Sequence, residues 1–251
     1  MLRPRRLFLT AFILLITSCS HIETEPYGIQ KEHIAFVPAR IGVIACREWP
    51  YNARYYKQPI TNFSPVEIKE ICDALDAFVL KGFEGQPYMR GLSPKVVGTL
   101  LQRANQDTLL SEINELWHQQ ESDCKTCANS VSHYKQSIAP RKEWQQWLGR
   151  FSRNVYNTDA ILVPMVLYAQ KGRSDERGLA IAYRRVGISL LLIDTNNGRL
   201  IWAGGRDVQA NNRKLDSDTH LNTLALPSWK QVSSRLLVKD IWTEFPGRQN
   251  Y

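Results

Sequence analysis

Signatures of catalysis are what this chain of 251 residues lacks. It has no Gly-x-Ser-x-Gly elbow to lift a nucleophile, no glycine loop to cradle phosphate, and no His-Glu-x-x-His helix. Its five histidines are scattered along the chain. Internal repeats and low-complexity runs are missing too, which removes solenoids and linker-like chains. After the first nineteen residues no apolar run is long enough to span a bilayer as a helix, so no second transmembrane helix is expected. The net charge of +8 comes without a basic run or an aromatic RNA-binding motif, and nucleic acid is not an expected partner. No catalytic residue is named on this reading, and the expectation is a protein that is not an enzyme and needs no cofactor.

What is present begins at the amino terminus. Arg3, Arg5 and Arg6 form a basic region, and Leu7 to Ile16 form an apolar core too short for a stable transmembrane helix. Ile16-Thr17-Ser18-Cys19 resembles the bacterial lipobox. That resemblance implies a signal peptide over residues 1–18, diacylglycerol on the Cys19 sulfur, and a third acyl chain on the freed amino group. Such an anchor holds a membrane far more firmly than one chain does. Ser20 rather than aspartate follows the cysteine, which by resemblance to enterobacterial sorting implies the outer membrane, facing the periplasm. Loss of the three arginines lowers the side-chain charge from +8 to +5. That residual charge suits anionic headgroups or acidic envelope polymers. Residues 19–38 are polar and aperiodic and read as a flexible tether, reaching at most roughly 60 Å.

Residues 39–251 read as one α/β (α+β) domain. Arg40 to Cys46 is a short apolar run typical of a buried strand. Ser64-Pro65-Val66-Glu67 is a capping box with proline at the first helical position, and Ile68, Ile71, Cys72, Leu75, Phe78 and Val79 follow at helical spacing. Ser93-Pro94 and Pro140 open further helices, the latter carrying Trp144, Trp147, Leu148 and Phe151 on one face. A last helix is expected from Pro227 to about Phe245. Between them, three apolar stretches within Asp159 to Gln209 read as neighbouring strands, the last two joined by an Asn197-Gly198 hairpin turn. Pro164 inside the first of these predicts an edge or a bulge. The expected fold is a single mixed sheet with a terminal hairpin, covered by several helices, with a helical insertion around residues 86–156.

The strands Arg40–Cys46, Thr158–Val163 and Ser189–Asp194, with Gly198 and Trp202 in the returning strand, resemble periplasmic lipoproteins of one group. It comprises the TolB amino-terminal domain, the curli secretion lipoprotein and the lipoprotein activators of penicillin-binding proteins. The resemblance covers about half of the mature chain and implies a partner-binding module. It carries over no functional residue.

Two features remain as sites. His118, Cys124, Cys127 and His133 space two thiols and two imidazoles between helices. Cys-x2-Cys either closes a disulfide, which persists in the periplasm, or holds zinc with the two histidines. Cys46 and Cys72 read as buried small side chains, with a bridge between them open. The loop carrying Trp49, Tyr51, Arg54, Tyr55, Tyr56 and Lys57 is aromatic and basic, and serves either as a partner surface or as cover for the sheet edge. The leading functional expectation is a lipid-anchored, non-catalytic accessory or docking module for an envelope protein assembly, with a homo-oligomer as a further option. The alternatives are a metal or thiol-redox protein using Cys124 and Cys127, and a secretion-pore subunit. A pore needs strands of about ten alternating residues. Only Leu179 to Ile193 reads as long enough.

Overall fold

A computed structural model describes residues 30–31, 36–48, 63–118, 129–176, 178–215, 223–238, 241–242 and 244–248. The lipobox with Cys19, the loop residues Trp49, Tyr51, Arg54, Tyr55, Tyr56 and Lys57, and both Cys124 and Cys127 lie outside the described residues.

The three apolar stretches form the strands β5 (Ala160–Glu176), β6 (Leu179–Asp194) and β7 (Leu200–Leu215), paired antiparallel in sequence order. Shorter strands extend the sheet: β1 (Gln30–Lys31), β2 (Arg40–Val43), β3 (Arg47–Glu48) and β4 (Arg90–Leu92). The order is β1-β7-β6-β5-β2-β4, with β3 also on β5. Strands β2 and β3 run parallel to β5, and β4 runs parallel to β2, so the sheet is mixed as expected. Gln30–Lys31, inside the stretch read as a tether, pairs with Ala203 and Trp202 at the sheet edge.

Neighbouring residues explain why the runs are continuously apolar. Leu162, Leu190 and Leu192 face one core, while Ile161, Val163, Leu191 and Ile193 face the other. Successive side chains on a strand point to opposite faces, so a sheet buried on both sides needs apolar residues at every position. One face is covered by α1 (Pro65–Lys81) and α6 (Trp229–Val238), the other by α2 (Pro94–Arg103), α3 (Leu109–His118) and α5 (Lys142–Asn154). Between α3 and α5 lie the single turn α4 (Ser130–His133) and a π-helical turn (Tyr134–Ile138).

Three details differ from what the sequence suggests. Residues 86–156 are more than a helical insertion: they supply the edge strand β4 and the helices that cover the second face. The final helix is shorter than expected, because Trp242 and Phe245 sit in turns beyond it, packed on Trp202. Strand β6 is also not alone in its length, since β5 has 17 residues and β7 has 16. Pro164 pairs with Leu190 on one side and falls where β2 has ended its pairing at Leu162 and β3 has not begun at Met165. Its missing N–H therefore meets no partner strand, and the bulge itself lies between Val166 and Tyr168.

The capping box at Ser64 is formed in both directions, Glu67 N–H to Ser64 Oγ at 3.3 Å and Ser64 N–H to Glu67 Oε2 at 3.3 Å. Helix α6 starts with the same device, Ser228 with Gln231. In the hairpin, Asp194 accepts from Asn196 N–H at 2.8 Å and from Asn197 Nδ2 at 2.7 Å, and Gly198 takes φ +67°.

Candidate functional site

The aromatic helix face of α5 is core. Trp144 and Trp147 stack at 5.0 Å, and Trp147 stacks on Phe151 at 5.0 Å. Their polar edges are satisfied: Trp147 Nε1 donates to the Leu109 carbonyl at 2.9 Å, and Trp144 Nε1 donates to Tyr134 Oη at 3.0 Å. Tyr134 Oη in turn donates to the Gly198 carbonyl at 2.5 Å, tying the hairpin turn to the helical face. Burial holds that phenol well above its ordinary pKa, so it stays a donor at every relevant pH.

The strand-end carboxylates are structural. Asp159 Oδ2 accepts from the amides of Ala39 and Arg40 at 3.0 and 2.8 Å, and Asp194 caps the hairpin turn. Of the four expected metal ligands, His133 is fully buried on α4 beside the Trp117 ring. Desolvation pushes it down to about 4, so the imidazole is neutral. His118 is the last residue of α3. Among the described residues no group of three or more His, Cys, Asp or Glu is arranged to hold a metal.

Two sites emerge from the tertiary structure: the first was not singled out by the sequence, and the second turns on the Cys46–Cys72 bridge that the sequence left open. The first is an open groove of about 590 Å³ between α1 and α6. Ala74, Phe78 and Trp229 form its apolar floor, exposed Ala77 lines its α1 side, and Ser233 and Ser234 line its α6 side. Glu70 and Asp73 stand on the α1 rim, with Lys81 at the end of that helix and Lys230 on the α6 rim. The volume is in the range of ligand sites, though the groove is a surface trough rather than an enclosed cavity. The small residues at these positions were the available signal. Close by, Lys171 and Arg184 share Glu67, with Lys171 Nζ at 2.5 Å. Each cation also lies over a ring, Lys171 over Phe63 and Arg184 over Trp229. The Lys171 bond is the largest influence holding Glu67 below the usual carboxylate range.

The second site is at the root of the aromatic loop. Cys46 and Cys72 are joined by a disulfide with a Cα–Cα distance of 5.1 Å, inside the usual range. Asp76 on α1 accepts from the Cys46 amide at 3.0 and 3.3 Å. Next along the chain, the Arg47 guanidinium passes to the opposite core, donating to the Ile113 carbonyl at 3.4 Å and lying over Trp117. Desolvation lowers it to about 10, so it remains a cation.

The strands also bear on the pore reading. A barrel strand alternates lipid-facing and lumen-facing residues. Residues 160–169 of β5 and 186–194 of β6 are instead buried at every position. No helix among the described residues is long and apolar enough to cross a membrane.

No protein-family model and no curated protein sequence matches the chain. Solved structures do. The lipoprotein GNA1162 from Neisseria meningitidis aligns at 12% identity with a TM-score of 0.38, covering 80% of this chain and 97% of that one. A PelC dodecamer from Paraburkholderia phytofirmans aligns at 9% identity and a TM-score of 0.33, covering 84% and 96%. A second PelC dodecamer structure from the same organism gives 12%, 0.31, 84% and 92%. Similarity at this level transfers neither activity nor partners, and it does not place the chain in the TolB, curli-secretion or activator group.

Proposed function

We propose that this chain is a lipid-anchored lipoprotein of the bacterial outer membrane, facing the periplasm. Its folded domain acts as a non-catalytic docking module for an envelope protein assembly. The α1–α6 groove carries this reading. It is an accessible, apolar-floored trough between two helical walls, with acidic and basic residues at separate places on its rims. A partner helix fits such a trough by laying an apolar stripe on the floor, as amphipathic helices do in hydrophobic grooves. Basic residues on that helix would face Glu70 and Asp73, and acidic ones would face Lys81 and Lys230. Anchoring supports the same reading. Eleven positions separate Cys19 from Gln30, which is fixed at the sheet edge, so the lipidated residue stays within roughly 40 Å of the domain. A module on that leash meets proteins of its own membrane.

The test is site-specific photocrosslinking in intact cells, with the probe at Ala77, an exposed position on the α1 side of the groove. A discrete heterologous adduct is expected from Ala77 and none from exposed Val96 on α2. The adduct should disappear when Ser234→Arg closes the trough from the α6 side. Adducts that ignore Ser234→Arg, or none from Ala77, would refute the groove as the docking surface. An adduct of twice the chain's mass would assign it to a second copy instead.

A further inference from the structure

Cys46 and Cys72 are both only half-buried, and their bridge packs at the margin of the core under α1. Asp76 stands beside it on two counts. It is one helical turn from Cys72 on α1, which puts both side chains on the same helix face. Its two carboxyl oxygens accept from the backbone amide of Cys46. A partly buried carboxyl beside a half-buried disulfide is more than a stability clip requires, since a neutral side chain could accept the same hydrogen bond.

We propose that the Cys46–Cys72 bridge is a thiol–disulfide exchange site whose departing sulfur takes its proton from Asp76. The co-reactant is a dithiol. Its thiolate attacks one bridge sulfur, the S–S bond breaks, and a mixed disulfide forms while the other sulfur leaves as thiolate. Asp76 protonates that thiolate. The second thiolate of the co-reactant then attacks its own sulfur in the mixed disulfide, closing the oxidised co-reactant and releasing the remaining cysteine. Two electrons have entered the chain. The two protons given up by the dithiol to water are balanced by two taken up by the cysteines, one through Asp76, which is reprotonated from water, and one from water directly.

Burial, the largest influence, and then the charge of Asp73 push Asp76 up, with the Cys46 amide opposing, to about 7. A carboxyl poised there can give and regain a proton near neutral pH. Two charged neighbours bear on this corner among the described residues. Asp73 lies one turn back on α1 and is itself paired with Lys69 at 2.5 Å. Arg47, adjacent to Cys46, directs its guanidinium to the Ile113 carbonyl on the other side of the sheet.

The test reduces the folded full chain with dithiothreitol between about pH 5 and pH 8, spanning the titration. Differential alkylation and peptide mass spectrometry follow Cys46 and Cys72 individually. The rate constant per dithiothreitol thiolate should fall roughly tenfold as pH rises through 7. The Asp76→Asn profile should be flat. Asp73→Asn, an exposed change, should move the wild-type midpoint to lower pH, and this variant decides the matter if Asp76→Asn does not fold. A bridge that opens only in denaturant, a profile shared by wild type and Asp76→Asn, or a midpoint unmoved by Asp73→Asn would overturn the proposal.

Discussion

Gly82→Ala sets two effects against each other. Gly82 follows α1 with φ −63° and ψ −20°, a conformation that alanine adopts freely. Propensity and the reduced entropy of the unfolded chain then favour alanine by up to about 1 kcal/mol. Packing opposes this. A Cβ at Gly82 would lie closer than 3.0 Å to three atoms of the Trp242 indole, with Nε1 at 2.8 Å. That ring is buried and cannot swing aside: it stacks on Trp202 at 6.1 Å and on Phe78 at 5.8 Å, with Phe245 against it at 5.2 Å. Overpacking of this kind costs about 1–3 kcal/mol, and more where the neighbours are rigid. The packing effect wins, and a net loss of about 2 kcal/mol is expected, or roughly 4–8 °C in Tm for a domain of this size. Gly98→Ala is the control. Gly98 lies inside α2, and the nearest atom to its Cβ is 3.9 Å away, so propensity acts alone and stability rises by about 0.5–1 kcal/mol. Urea unfolding followed by tryptophan fluorescence measures both. Trp242→Phe should recover part of the Gly82→Ala loss, as coupled neighbours do. A Gly82→Ala protein as stable as wild type, with Gly98→Ala behaving as expected, would refute the packing argument.

Tyr134→Phe removes one hydroxyl but leaves two buried partners without it, Trp144 Nε1 and the Gly198 carbonyl. At about 1–3 kcal/mol for each orphaned group, a loss of about 2–6 kcal/mol is expected in urea unfolding with the slope unchanged. Asp76 predicts a pH dependence of stability. Its folded pKa of about 7 lies above the ordinary value of 3.8, so the folded state binds the extra proton between them. The contribution of that proton is complete below pH 3.8 and lost as pH rises through 7. The total is on the order of 3 kcal/mol, discounted for solvent screening of a partly buried group. Asp76→Asn should therefore gain on wild type as pH rises from about 4 to about 7, and parallel stability curves over that range would contradict the assignment.

Much of the fold was legible because local chemistry and tertiary demand agree. Ser64-Pro65-Val66-Glu67 starts α1 since both halves of the capping box satisfy amides that any helix start leaves open. Asn197-Gly198 closes β6 on β7 because the turn needs a positive φ that glycine supplies. Lengths and roles were less legible. Trp242 lies beyond α6 although the sequence reads as helix to about Phe245, because spacing records a residue that needs burial and not the backbone that delivers it. The insertion at 86–156 reads as helices, and nothing local shows that these helices close the second face of the sheet.

The candidate sites divide in the same way. Sequence alone determined the apolar strands, the helix starts, the lipobox resemblance and the absence of any catalytic motif, since each rests on residues adjacent in the chain. Only the tertiary structure decided that Cys46 pairs with Cys72 across 26 positions, that Asp76 stands beside the bridge, and that α1 and α6 leave a trough between them. These depend on how a sheet buried on both faces brings distant segments together, and loop closure over such separations leaves no local mark in the sequence.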